Sequence, residues 1–315
     1  MPTQNGMVYH EVRKPQGARQ HYLVYNKRVA GKWIKESKFL GSGKISAKKI
    51  KQEKEQFELE LKLKKGYQYL TIEQVKEIED LKQRYWNKIK TLKKEEFEKF
   101  ENSFFTELTY NSNAIEGNSL SLQETSLVVN ENIVPEGKTL REVYESKNHM
   151  EAISFMKKYN GNITEQFILK LHHIILKGIS ERFAGQYRAT SVRIFGSDVK
   201  FPDSQKVPQL VKNLIYWYNK NKKDMHSFEL AAIFSMKLVT IHPFIDGNGR
   251  VSRLVMNFIL QKNKYPWINI YVKKRAEYLA SVRKANEEEY KPIIEFLIKN
   301  LTENLKAFKI MFSYL

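Results

Sequence analysis

Two apolar segments of helical periodicity, Glu229–Leu238 and Leu254–Leu260, are separated by His242-Pro-Phe-Ile-Asp-Gly-Asn-Gly-Arg250-Val-Ser-Arg253. This arrangement constrains the fold more than any other feature of the chain. Two helices must meet at a short loop, and the second half of the loop must lie at a helix N-terminus. Gly247, Asn248 and Gly249 tolerate positive φ, so successive N–H groups can converge on one anion. The helix N-terminus adds roughly half a positive charge and unsatisfied donors. Arg250 and Arg253, spaced i and i+3, are expected to share a helix face and grip adjacent phosphates. Asp246 offers the hard oxygen that magnesium on a polyphosphate requires. His242 stands at the rim, with an unperturbed pKa near 6.5 that suits a general base. A calcium loop is excluded, because the alternating acidic positions and the closing Glu are missing. The segment therefore reads as a nucleotide-phosphate site with a base beside it.

The rest of the chain is read around that site. From Thr106 onward it is expected to be mostly helical, punctuated by Gly and Pro. Ala189–Phe201 is an exception. There Val192, Ile194, Val199 and Phe201 alternate about a turn and predict a short hairpin. Upstream, Thr71 opens a helix expected to run to about Phe105, with Glu73 in its first turn. Ser46–Lys65 predicts an earlier helix. His21–Tyr25 and Lys32–Leu40 predict a β-hairpin or meander, with Asn26–Gly31 as its turn and Gly41-Ser-Gly43 at its end. These elements suggest residues 1–66 as a basic β-hairpin and helical extension, and 67–315 as a helical domain.

Charge divides the same way. The net charge is +19, and residues 1–50 hold 11 Lys and Arg against 2 Glu. Basicity favours polyanionic partners, although Lys and Glu alternate heavily elsewhere, as on a solvated surface. There is no cysteine, which excludes disulfides, thiolate zinc sites and a cysteine nucleophile. No apolar run has the roughly 18 to 20 residues of a membrane span. Met1–Gln20 is polar and predicts no secretory signal, so a cytoplasmic location is expected. Gly41-Ser-Gly-Lys44 fails as a phosphate loop, because Lys38 and Ile45 stand where Gly and Ser or Thr are needed. His172 and His173 are adjacent, point to different helix faces and read as structural rather than metal-ligating.

The motif His-x-Phe-x-(Asp/Glu)-Gly-Asn-Gly-Arg-x-x-Arg, matched at every specified position by His242–Arg253, resembles the signature of Fic-domain proteins. The resemblance extends from about Glu95 to about Leu301, with Ala184-Gly-Gln-Tyr-Arg188, Trp217-Tyr218 and Arg275-Ala-Glu-Tyr278 inside it. Ser235 departs from the His that many members carry after the Phe. The resemblance implies a mainly α fold, a Fic-type helical bundle with a short β-hairpin flap, to which the N-terminal β-hairpin and long helix would be an extension. It also implies a protein adenylyltransferase, which moves AMP from ATP to a Ser, Thr or Tyr hydroxyl of a target protein or of itself. His242 would be the catalytic base and Asp246 the Mg2+ ligand. Gly247, Asn248, Gly249, Arg250 and Arg253 would bind the nucleotide's phosphates.

Further positions follow from the same likeness. Ser112-Asn-Ala-Ile-Glu116-Gly117 reads locally as a short helix stopped by Gly117. It matches the family's inhibitory helix, (Ser/Thr)-x-x-x-Glu-(Gly/Asn), here placed N-terminal to the core. Ser112 and Glu116 would then restrain transfer, with Glu116 pairing bidentately with Arg253 and taking the Arg that a γ-phosphate needs. Val192, Arg193, Ile194 and Phe195 resemble the flap, whose backbone can pair with an extended target segment. Tyr278 and Asn286 resemble positions near the adenine and ribose. In some relatives the inhibitory Glu supports removal of AMP, so a de-AMPylating or bifunctional enzyme is the alternative. A third reading is a nucleic-acid-binding or partner-docking protein acting through residues 20–40, where Tyr22, Tyr25 and Trp33 lie beside Lys27, Arg28 and Lys32. The sequence leaves open the target, the nucleotide and whether the chain forms a homodimer.

Overall fold

The structure is a computed structural model that describes residues 7–29, 32–63, 66–193 and 199–313. The chain divides into two compact units, Met1–Tyr67 and Gln68–Leu315. In the first, β1 (Val8–Arg13), β2 (Gln20–Val29) and β3 (Lys32–Ser42) form an antiparallel sheet in the order β1-β2-β3. Val8 pairs with Tyr25 and Arg13 with Gln20, while Gln20 faces Ser42 and Tyr22 faces Phe39 across a bulge at His21/Tyr22. β1 is the strand that the sequence did not announce, since His10, Glu11 and Arg13 dilute its apolar alternation. The helix α1 (Ala47–Leu63) covers one face. Val8, Leu23 and Phe57 are buried there, packed by Tyr25, Leu40 and Leu61. Lys38 reaches from β3 to Glu53 and Glu60 of the helix.

The second unit is helical: α2 (Ile72–Ile89), α3 (Lys94–Ile115), α4 (Leu122–Ser126), α5 (Leu140–Lys158), α6 (Glu165–Leu176), α7 (Val207–Asn221), α8 (Ser227–Ile241), α9 (Asn248–Lys262), α10 (Arg275–Asn286) and α11 (Lys291–Ser313). The helix expected over 71–105 is broken at residues 90–93. No Gly or Pro marks the break. Local bonds from Thr91 N–H to Lys88 and from Leu92 N–H to Ile89 turn the chain, and the Glu96 carboxylate caps Lys93 N–H at 2.8 Å. Ser112–Ile115, expected as a separate short helix, is instead the last turn of the 22-residue α3. The flap tip, Ile194 and Phe195 included, lies outside the described residues. Its described flanks, Val192 and Arg193 before it and Val199–Phe201 after it, have no regular secondary structure.

The pair α8–α9 forms the centre of this unit. Phe228–Met236 and Arg250–Leu260 are buried almost without interruption, so both helices are enclosed by others on every side. α3, α5 and α6 pack on α9, and α7, α10 and α11 pack on α8. Phe167 and Phe258, with centroids 4.5 Å apart, join α6 to α9. One polar clamp stands out in this core. Glu229, fully buried on α8, accepts from the backbone N–H groups of Gln68, Tyr69 and Leu70 at 3.1, 2.6 and 2.7 Å. It fixes the segment that leads into α2. Glu229→Ala leaves three donors without their acceptor and is expected to cost about 3 kcal/mol or more. Urea unfolding followed by helical circular dichroism checks this, with an unchanged midpoint as the contrary result.

Candidate active site

The loop between α8 and α9 is shaped by residues that touch nothing but protein. His242 ends α8 in the left-handed region, φ 50°, which a non-glycine residue holds only when its surroundings impose it. Three contacts impose it. The Asn248 side chain closes the loop on itself, accepting from Phe244 N–H at 2.9 Å and donating to Phe244 C=O at 2.8 Å. His172 of α6 stacks on the Phe244 ring, centroids 3.6 Å apart. Its Nδ1 accepts from Gly185 N–H at 3.0 Å, so Nε2 carries the proton, donated to the Asp246 carbonyl at 3.1 Å. Arg188 donates to the carbonyls of His242, Thr190 and Pro202 at 2.7, 3.0 and 2.5 Å, and its own N–H bonds Pro243 C=O. Thus a buried cation with carbonyl acceptors ties the flap's base to the histidine.

The histidine is held as a free base. Its Nδ1 lies 3.2 Å from the Val239 carbonyl, which can only accept, so Nε2 is unprotonated. The ring stacks on Phe201 at 4.0 Å. Burial pushes its pKa down to about 4; the Val239 carbonyl opposes this, Arg188 adds to it, and Glu116 and Asp246 oppose it weakly. Asp246 stays ionised. Burial would raise its pKa, but Arg250, the Gly247 N–H and Arg141 outweigh burial and lower it. Oδ1 accepts from Gly247 N–H at 2.5 Å and Oδ2 from Arg141 at 2.5 Å.

At the start of α9 the two arginines part company. Arg250 is 2% exposed and lies between Glu145 (3.2 Å) and Asp246 (3.3 Å). It does not join Arg253 on one anion-facing surface as its spacing suggested. Arg253 donates to Ser112 Oγ at 3.2 Å and Ser112 C=O at 2.8 Å, and meets Glu116 Oε1 at 2.8 Å. Tyr278, buried, lies under the Arg253 guanidinium at 5.9 Å. Asn286 accepts from the Thr240 hydroxyl at 2.6 Å.

Only Gly247 of the two loop glycines has positive φ, +80°. Gly249 is helical, and the reason for glycine there is space. A Cβ would collide with Glu116 Oε1 and come within 3.0 Å of Arg253 Nη1. A carboxylate therefore lies against the first turn of α9, where the N–H groups of Asn248, Gly249 and Arg250 have no acceptor within the helix. Glu116 is the C-cap of α3, and Arg275 Nε bonds the Ile115 carbonyl beside it at 2.7 Å. Asn118 bonds Glu145 at 2.8 Å, joining this helix end to the partner of Arg250.

Residues 162–260, from the start of α6 to the end of α9, match the family described as Fic/DOC family. The chain contains a domain of that family. The chain is 32% identical over 205 residues to the protein adenylyltransferase fic-1 of Caenorhabditis elegans, covering 63% of this chain and 40% of that protein. It is 32% identical over 204 residues to the protein adenylyltransferase Fic of Nematostella vectensis, covering 63% and 47%. The chain thus spans less than half the length of the curated relatives it matches. A Fic domain containing signaling protein from Bacteroides thetaiotaomicron superposes with a TM-score of 0.67 at 27% identity, over 73% of this chain and 94% of that chain. Fic-1 from C. elegans does so with 0.67 at 26%, over 76% and 71%.

Three side chains that the sequence did not single out belong to the site, Arg141, Glu145 and Arg188, and His172, read from the sequence as structural, supports it. Only Arg188 lay in a segment with a sequence signal. Among the described residues, no group of three or more His, Asp or Glu could hold a metal by itself, and no helix is long and apolar enough to cross a membrane.

His149, His172 and His242 are all held neutral, with pKa values lowered to about 3, 4 and 4, in each case first by burial. The unfolded chain binds these protons near pH 6.5 and the fold does not. Stability is therefore complete above about pH 6.5 and falls as the pH drops toward 4. Urea midpoints at pH 7.5, 6 and 5 should decrease in that order, and imidazole C–H resonances of His242 should not titrate above pH 5. A midpoint independent of pH, or titration of His242 near 6.5, is the opposite result.

Proposed function

We propose that this Fic domain transfers AMP from ATP to a Ser, Thr or Tyr hydroxyl of a protein, and that Glu116 restrains the transfer. The observation that carries the reading is the Glu116 carboxylate against Gly249 and Arg253. A carboxylate held at a helix N-terminus beside a guanidinium marks where phosphate oxygens would go. The names of the C. elegans and N. vectensis relatives support adenylyl transfer as the reaction.

In this reading the hydroxyl oxygen forms a bond to the α-phosphorus as the bond to pyrophosphate breaks. The hydroxyl proton passes to His242 Nε2, the nitrogen left free by the Val239 contact. First-turn N–H groups of α9 take the phosphate oxygens, and Arg253, released by Glu116, takes the outermost phosphate. The Asn248 side chain holds the loop rather than the ligand. Asp246 fits a Mg2+ ligand, since its carboxylate is ionised and 40% exposed, and magnesium takes its other oxygens from phosphates and water. When bound, that ion would offset phosphate charge. Arg141 would have to yield Oδ2 to it. The backbone of residues 192–195 would align the target's segment.

Incubation with ATP labelled at the α-phosphate and Mg2+ tests the proposal by self-labelling. Glu116→Gly is expected to raise labelling about 10²-fold over wild type, the scale of relieving a misplaced phosphate. Adding His242→Ala should then lower it by about 10² to 10⁴. Equal labelling of wild type and Glu116→Gly sinks the restraint, and labelling that survives His242→Ala sinks the base. Glu116 is 39% exposed, so it can also meet solvent. That favours the second reading, removal of AMP with Glu116 positioning water. Loss of label from modified protein on adding Mg2+ without ATP would reveal it.

A further inference from the structure

The first unit carries over half of the net charge. Residues 1–67 hold 16 Lys and Arg against 6 Glu, a net of +10 of the chain's +19. α1 covers one face of its sheet, and register assigns the other face. Tyr9, Glu11 and Arg13 of β1, Gln20, Tyr22, Val24 and Asn26 of β2, and Lys35, Ser37 and Phe39 of β3 alternate onto it. Val24 at its centre is fully buried, and Lys35, Ser37 and Phe39 of β3 are the exposed residues on it. Phe39 is 52% exposed at its edge. Arg13 lies on one edge strand and Lys35 on the other, and both reach Glu11, at 2.6 and 3.4 Å. The one acid of the face is therefore already bridged by its two cations. Lys14, Arg19 and Lys44 are exposed at the adjoining strand ends.

We propose that this open sheet face docks in the major groove of duplex DNA. Three observations favour a groove. Three strands about 4.8 Å apart span roughly 10 Å, and the DNA major groove is about 12 Å wide. Arg13 and Lys35, on the two edge strands, would exchange Glu11 for the phosphate walls of such a groove, and Gln20 and Asn26, side chains of the type that reads base edges and bonded here to Tyr22 and Tyr9, lie on the strand between. Stacking on unpaired bases fits less well. Arg13 already caps the Tyr22 ring at 4.1 Å from its centroid, and Phe39 is tilted 51° to that ring. The Tyr22 and Tyr9 hydroxyls are held within the sheet by Gln20 and Asn26, at 2.7 and 3.1 Å. Duplex RNA is disfavoured because its major groove is too narrow for side chains to read.

The test uses the full chain and a fluorescent 24-base-pair mixed-sequence DNA duplex, read by anisotropy between 50 and 200 mM KCl. Binding is expected in the micromolar range and to weaken steeply with salt. Phe39→Glu, an exposed change that should leave the melting temperature unaltered, is expected to weaken binding tenfold or more. Arg13→Gln and Lys35→Gln should each flatten the slope of log K against log salt by about one. The double change Lys48→Gln/Lys51→Gln, on exposed positions of α1 at the opposite face, should change affinity by less than about twofold beyond its charge effect. Equal or tighter binding to the single strand or to the RNA duplex of the same sequence overturns the groove assignment. So does a loss from the α1 double change that matches the losses from the face variants. Absence of binding at 50 mM KCl overturns the proposal outright.

Discussion

Arg253 is the charge around which this Fic domain is arranged. Its side chain is buried, and a buried guanidinium without an anion is too costly to keep. Three elements meet to satisfy it. The last turn of α3 brings Ser112 and Glu116, α9 bears the arginine itself, and α10 places the Tyr278 ring beneath it. The arginine gains a carboxylate, a hydroxyl and a carbonyl, and its pKa rises, since Glu116 and Tyr278 outweigh the burial that would lower it. An anion is thus a structural requirement at this point of the bundle. What leaves when Glu116 leaves has to be replaced, and a polyphosphate is an anion with the right acceptors.

The loop beside it is fixed by a separate set of contacts. The Asn248 amide, the His172 ring and the Arg188 guanidinium each bond loop backbone rather than anything in the open site. They hold His242 in a left-handed conformation that the sequence Ile-His-Pro would not adopt by itself. Such a loop loses little entropy on binding, because its geometry is already set by packing. The division of labour is clear in the glycines too. Gly247 serves the backbone path, and Gly249 serves the approach of an anion.

Much of this was legible in the sequence, and the misses share a cause. Helical periodicity found α8 and α9, and turn chemistry placed the loop between them. The Glu116–Arg253 pairing followed from a motif match 137 positions apart (253 − 116), which periodicity could not have supplied. Spacing misled where tertiary context decides. Arg250 and Arg253 are i and i+3, but Glu145 of α5 draws one inward, and Glu145 has no local signal. Tyr278 and the Asn248 side chain also contact protein, the Arg253 guanidinium and the Phe244 backbone, which spacing alone did not indicate. The break at residues 90–93 was invisible because it uses only local backbone bonds and Glu96, with no Gly or Pro. β1 was missed because its outward residues are charged or polar on one face and it lies at a sheet edge.

The two arginines also explain which contact can be exchanged. Arg250 has two carboxylates, Glu145 and Asp246, and Glu145 is itself buried and bonded by Asn118 and Arg141. To free Arg250 would strand the buried Glu145, a loss of the order of 3–5 kcal/mol, whereas Asp246 is 40% exposed. Arg253 has one carboxylate, on a side chain that is 39% exposed. Water can reach that carboxylate as it departs, so its desolvation cost is partly recovered on leaving, unlike that of Glu145. Glu145 is therefore the harder of the two glutamates to displace, and Glu116 the easier. Geometry of this kind lets one arginine be a fixed part of the scaffold while its neighbour, three residues on, is available to a competing anion.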